Sequence, residues 1–287
     1  MKRALVLSGG ASRGSFETGA LRYLTQDLGR SYDSLHGISV GALNVGFLSL
    51  YPKEQEKEAF INLENLWKAL DDTSMKKNWA PFGVVHGLWL DSIYSSKPLR
   101  DLVYKTMDLN KVKNNGRLVT VGAVSLQDAS YKVFNGQDDC FLDAMLASSA
   151  FPMGLEPVVI NGQKYTDGGV QHIIPMQEAI DSGAEEIDVV ICSPIKTTAA
   201  FGDVDAVTLG LRCFELMTDQ IVNADLKLAD LYNQLVSVGL APGKKLLKIN
   251  VIRPETDLSI GTFSFTNEDV RATMEIGYQT AKKQFVL

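Results

Sequence analysis

Histidine is scarce in this chain: among 287 residues there are three, His36, His86 and His172. Metal centres and serine-histidine-aspartate triads both draw on histidine, so either would have few residues to be built from. Cysteine is equally sparse. Cys140, Cys192 and Cys213 are odd in number and far apart, which excludes a disulfide framework and favours reduced thiols used as small core residues. Positive charge is not in excess either. The 28 Lys and Arg residues stand against 34 Asp and Glu, a net charge of −6, so no global positive field draws in nucleic acid or anionic lipid headgroups. No apolar run approaches the ~18 residues that cross a bilayer; the best candidate, residues 40–51, is short and contains Gly41, Asn44 and Gly46. The N-terminal apolar run, residues 4–7, breaks at Ser8-Gly9-Gly10, too early for a secretory signal. What remains is a cytoplasmic globular protein whose 45% hydrophobic content suffices for a large core.

Two strand-turn-helix units open the chain. Residues 3–8 read as an apolar strand, followed by a Gly-rich turn and then Phe16, Ala20, Leu21, Leu24 and Leu28 at helical spacing. Residues 35–38 lead through Ser39 into residues 40–50, apolar on nearly every side and so a buried helix. An α/β fold follows. Residues 53–70 predict an amphipathic helix. Residues 72–96 lose periodicity but hold Trp79, Phe82, Trp89 and Tyr94, the composition of a lid or substrate wall as well as of ordinary packing. Strands are expected at 118–126, 131–134, 164–166, 187–192 and 247–252, and helices at 141–149, at 203–238 and from about 267. No linker or repeat interrupts 1–287, which reads as one domain.

The second turn carries chemistry. Gly37-Ile38-Ser39-Val40-Gly41 is a G-x-S-x-G motif set between a strand and a helix, as a nucleophile elbow requires. Its glycines let neighbouring segments approach a strained apex, and Ser39 is presented at a helix N-terminus that favours developing negative charge. The first turn, Gly9-Gly10-Ala11-Ser12-Arg13-Gly14, offers backbone N–H groups to a phosphate or an oxyanion. A dinucleotide fingerprint would need glycine where Ala11 stands, and an acidic residue where the next strand instead ends in the serine elbow.

A serine nucleophile needs a base. In α/β-hydrolases the histidine follows serine and acid on a late loop, and here none lies beyond His172. His36 projects to the opposite sheet face from Gly37 and Ser39. A carboxylate held close and partly desolvated serves instead, and Asp167, ahead of Gly168 and Gly169, suits the task. Asp138-Asp139 beside Gly136 reads as a solvated turn; no metal-ligand spacing is visible, so no metal or other cofactor is required.

These residues resemble the patatin-like phospholipases. The family's marks are a Gly-rich loop after the first strand, a G-x-S-x-G elbow about 25 residues later, an A-S-x-A-x-P segment and an aspartate in D-G-G or D-G-A. They match Gly9 to Gly14, Gly37 to Gly41, Ala147-Ser148-Ser149-Ala150-Phe151-Pro152 and Asp167-Gly168-Gly169. Similarity is firm over about 1–195 and loose beyond. The resemblance implies a three-layer α/β/α fold with a mainly parallel sheet and a Ser39-Asp167 dyad. It further implies an oxyanion hole from N–H groups of Gly9, Gly10 and Ala11, supported by Arg13 and Gly14. Lipid or other acyl-ester substrates, an acyl-enzyme intermediate and transient membrane-surface contact go with it. One domain would hold the loop and elbow in 1–50, a lid in 72–96, the aspartate segment in 147–175 and a helical part in 203–287. Two departures stand out: Ala11 where the family usually has a third glycine, and His172 where asparagine is common. Ala11 keeps open the alternative of a non-catalytic lipid-binding or storage protein. Oligomeric state is not legible.

Overall fold

Strand β1 (Arg3–Leu7) shows how the layers arise. Leu5 and Leu7 belong to one buried apolar cluster, Ala4 and Val6 to another, because successive strand side chains point to opposite faces and this strand is covered on both. The structure, a computed structural model, describes residues 1–80, 90–197, 202, 206–243, 245–262 and 264–286, with 206–208 as backbone alone. Nine further strands follow among the described residues: β2 (Ser34–Gly37), β3 (Lys77–Asn78), β4 (Tyr94–Ser95), β5 (Leu118–Ser125), β6 (Tyr131–Asn135), β7 (Val158–Ile160), β8 (Gln163–Asp167), β9 (Glu186–Val190) and β10 (Lys248–Ile252). The main sheet runs β10-β9-β1-β2-β5-β8-β7, with β6 also on β5. Its first five strands are parallel, and β8, β7 and β6 are antiparallel additions.

On the larger cluster's face lie the helices Gly14–Arg22, Val40–Leu48, Glu56–Ala69, Lys97–Thr106, Phe141–Ser148 and Asn267–Val286. Met176–Asp181 and Ala206–Ser237 cover the other face through Met176, Ala179, Val222 and Ala229. The three-layer α/β/α architecture is therefore the one expected. The Gly14–Arg22 and Asn267–Val286 helices touch backbone to backbone. A Cβ on Gly19 would stand 1.8 Å from the Met274 carbonyl oxygen, and one on Gly277 2.0 Å from that of Phe16.

The functional geometry comes from β5. One of its edges is shared by two strands: β2 pairs with Leu118–Val121 and β8 with Ala123–Ser125. Gly37, two residues before Ser39, is thus level with Val121, while Asp167 is level with Ala123. Gly168 then passes so close to Gly122 that a Cβ would lie 2.4 Å from its carbonyl oxygen.

Most elements fall where periodicity places them, with ends shifted by up to three residues. The described residues of the 72–96 segment, 72–80 and 90–96, contain regular elements that its lack of periodicity does not suggest. Asp72–Met75 is a short helix with Asp71 as its N-cap, and β3 pairs with β4. Trp79 Nε1 donates to the Ser92 carbonyl at 3.0 Å and the Tyr94 N–H to that of Gly154 at 3.1 Å. Phe82, His86 and Trp89 lie outside the described residues, and with them the centre of the expected lid. Of the cysteines, Cys192 is buried and Cys140 half-buried, but Cys213 is exposed on the Ala206–Ser237 helix, not in the core.

Candidate active site

Ser39 occupies the apex of the turn from β2 into the Val40–Leu48 helix, with φ 56° and ψ −126°. This left-handed strain in a non-glycine residue persists only where the surroundings enforce it. A Cβ on Gly37 would lie 2.3 Å from the Gly41 carbonyl oxygen, and one on Gly41 2.4 Å from that of Leu7. Both motif glycines are therefore steric necessities. The Ser39 N–H donates to Ser148 Oγ at 3.0 Å, and the Ser149 hydroxyl donates to the Ser39 carbonyl at 2.9 Å. From the same segment the Ala150 carbonyl accepts the Asp167 N–H at 3.1 Å and the Thr166 hydroxyl at 2.9 Å. Residues 148–150 thus hold elbow and aspartate to one piece of backbone, a physical reason for the A-S-x-A-x-P segment.

Asp167 is buried. Its Oδ1 accepts the Gly169 N–H at 2.7 Å, whereas Oδ2 is buried with no hydrogen bond of full geometry among the described residues. Leaving a buried carboxylate oxygen unmatched is costly, so such an atom marks a site of use. Burial pushes the carboxyl up to about 7, against the opposing pull of the Ser39 hydroxyl and the Gly169 N–H. A carboxyl poised there exchanges a proton readily near neutral pH. Ser39, Asp167, Gly10, Ala11, Arg13 and Phe151 line one cleft.

The first turn brings its N–H groups to the same cleft, with one difference from expectation. The Gly9 N–H is committed to the Ile173 carbonyl at 3.1 Å, so it is not a free donor. Gly9 serves by being small: a Cβ there would lie 2.5 Å from Ile173 and 3.1 Å from Ser39 Cβ. Gly10 and Ala11 have no acceptor for their N–H groups among the described residues. A Cβ on Gly10 would strike Cys192 at 2.4 Å. Ala11 has φ 51°, the left-handed conformation in which a Cβ costs ~1–2 kcal/mol. Gly14 packs on Val40, and Arg13 pairs with Glu215 at 2.5 Å along the cleft wall.

Sequence reasoning missed what lies behind this turn. Glu17 is wholly buried, accepts Asn44 Nδ2 at 2.8 Å and faces Ser8 and Cys192, while Trp67 Nε1 donates to Asn44 at 2.9 Å. Its position in the first turn of the Gly14–Arg22 helix was visible, but not its burial. Burial pushes Glu17 up to about 8, opposed chiefly by the hydrogen bond from Asn44. A folded-state value above the unfolded one gives stability that is full below about 4.5 and is lost as pH rises through 8. Asp167 acts in the same sense. The expected outcome is a Tm that falls between pH 5 and pH 8.5, with Glu17→Gln flattening the slope; equal slopes in calorimetry of the two proteins would contradict it.

The histidines take no part in this cleft among the described residues. His36 is buried with Nδ1 2.7 Å from Thr120 Oγ1, and burial lowers it to about 3, so it stays neutral. His172 Nδ1 lies 3.8 Å from Asp225, and its ring packs edge-on against Tyr131 in a separate cavity. Asp138 accepts the Asn135 N–H at 2.8 Å, closing a turn. Among the described residues no group of three or more His, Cys, Asp or Glu side chains is placed to hold a metal ion, and no helix is long and apolar enough to cross a membrane.

Sheet, elbow and buried aspartate together define an α/β/α protein with a serine presented to a carboxyl. A family model described as patatin-like phospholipase matches residues 5–180, and the chain belongs to that family. It is 28% identical over 242 residues to the human 1-acylglycerol-3-phosphate O-acyltransferase PNPLA3, covering 78% of this chain and 47% of that protein. It is 27% identical over 200 residues to the uncharacterized protein YjjU of Escherichia coli K12, covering 67% and 52% respectively. The chain therefore spans about half the length of these relatives. Among solved structures, VipD from Legionella pneumophila superposes with a TM-score of 0.53 at 14% identity, covering 99% of this chain and 66% of that one; the likeness is one of fold.

Proposed function

We propose that the chain hydrolyses carboxylic ester bonds of phospholipids or related acyl lipids through Ser39 and Asp167. The observation that carries this reading is the strained Ser39 beside a buried carboxyl whose Oδ2 lacks a full hydrogen bond. Ser39 Oγ attacks the ester carbonyl carbon and its proton passes to Asp167. The Gly10 and Ala11 N–H groups stabilise the oxyanion. Asp167 returns the proton to the departing alcohol, leaving an acyl-Ser39 ester. Asp167 then takes a proton from water, the hydroxide attacks the acyl carbon, and Ser39 leaves reprotonated. An apolar recess opening beside Ser39, lined by Val40, Leu43, Met75, Leu99 and Phe265, suits the acyl chain.

A serine-directed fluorophosphonate tests the reading directly. The wild type should be labelled at Ser39 and Ser39→Ala should not; an unlabelled wild type would favour a lipid-binding protein without an activated serine. The acyltransferase name of the human relative supports a variation, in which the acyl-enzyme passes its acyl group to 1-acylglycerol 3-phosphate in place of water. Supplying that acceptor and analysing both products separates the two fates.

Ala11→Gly is expected to raise turnover or broaden substrate range with little change in stability. Relief of the left-handed Cβ is offset by the ~0.5–1 kcal/mol entropy cost of glycine, while the N–H gains freedom to follow the oxyanion. Unchanged steady-state kinetics would show that alanine already fits the hole.

A further inference from the structure

The Ala206–Ser237 helix has two apolar faces. One is occupied: Val222 and Ala229 are buried against the sheet, and Asn233 binds both the N–H and the carbonyl of Leu247 at 2.8 Å. The second faces solvent. Met217, Ile221, Ala224, Leu228, Leu231 and Leu235, with Val238 in the following turn, are spaced four, three, four, three, four and three residues apart. Exposure runs from 40% at Leu235 to 67% at Val238, with only Ile221 half-buried. Three heptads of this 3.5-residue spacing form the seam of a coiled coil. A helix apolar on two sides is ordinarily covered on both.

The chemistry of the surroundings selects the occupant. Helices that lie on lipid carry Lys and Arg along the polar face. Here Arg212 and Lys227 stand against Glu215, Asp219, Asp225 and Asp230, and the chain as a whole has a net charge of −6, so anionic lipid is repelled. A seam of this kind is complementary to itself. Antiparallel pairing about a two-fold axis stacks Leu228 of one copy on Leu231 of the other and sets Lys227 opposite Gln234, with no like charges brought together. Beside the seam opens a cavity of about 380 Å³ that Leu228 and Tyr232 share with the polar groups of His172, Glu178 and Asp225.

We infer that the solvent face of the Ala206–Ser237 helix is the interface through which two copies of this chain pair. Sedimentation velocity on the full chain at micromolar concentrations should show a dimer. Leu228→Lys combined with Leu235→Lys should raise its dissociation constant by ~100-fold or more, while far-ultraviolet circular dichroism stays unchanged. The single change Leu231→Glu, at an exposed site, weakens the dimer in the same direction should the double variant fail to fold. A wild type that remains monomeric throughout, or a dimer indifferent to both variants, overturns the inference. So does a monomer that co-floats with phosphatidylcholine vesicles through this face.

Discussion

Asp167→Asn is expected to lower ester hydrolysis by ~100-fold or more, the usual weight of a general base, in a protein that stays folded. The amide keeps the shape and the acceptor for the Gly169 N–H, but it cannot take a proton from Ser39. The wild type provides an independent reading through pH. Since burial holds the Asp167 carboxyl at about 7, it is protonated and idle below that value, and the rate should climb as pH rises through it. Low activity at pH 5 would otherwise suggest a histidine base, so the variants decide. His172→Asn should leave turnover nearly intact, because His172 sits with Tyr131 and Asp225 in a separate cavity. A folded Asp167→Asn that keeps most of its activity while His172→Asn loses it would falsify the dyad.

Adding a single methyl group at Gly19 should cost the protein ~3 kcal/mol or more. Its Cβ would lie 1.8 Å from the Met274 carbonyl oxygen, where about 3.0 Å is the closest tolerable approach. The Gly14–Arg22 and Asn267–Val286 helices must separate, stripping packing from Phe16, Ala20, Val270 and Met274 in the main core. Overpacking against flexible side chains costs ~1–3 kcal/mol, and a carbonyl within a helix has less room to yield. Gly210→Ala is the matching control. Nothing lies within 4 Å of a Cβ at that helical position, so alanine should stabilise by ~0.5–1 kcal/mol. Urea titration distinguishes the two, and a Gly19→Ala midpoint equal to that of the wild type would show the helices free to shift apart.

The contrast between these two glycines illustrates what a linear sequence reveals. Residues 3–8 and 35–41 announce strand, elbow and helix because the informative contacts lie within a few residues, and Asp167 is legible through the two glycines after it. The nearby β7 is not, since three residues, Val158–Ile160, are too short for a period. The Lys97–Thr106 helix had its signals, Pro98 near its start and buried Leu99 and Val103 one turn apart, but the preceding stretch hid them. Gly9 looked like an oxyanion donor because its competitor, the Ile173 carbonyl, lies more than 160 residues away in sequence. Ala11 was visible as a departure from pattern, whereas the sign of its φ angle depends on how the turn packs. Burial of Glu17 likewise depends on Asn44 and Cys192 meeting it across the core.

The shared edge of β5 has a consequence for how the protein fails on heating. Gly37, two residues before Ser39, and Asp167 are held two residues apart on one strand, at Val121 and Ala123, in the middle of a sheet covered by helices on both sides. Moving one away from the other requires breaking central backbone pairing, a global event and not a local fraying. Loss of catalytic competence at high temperature should therefore coincide with melting of the sheet, so that inactivation and unfolding share one transition and one activation enthalpy.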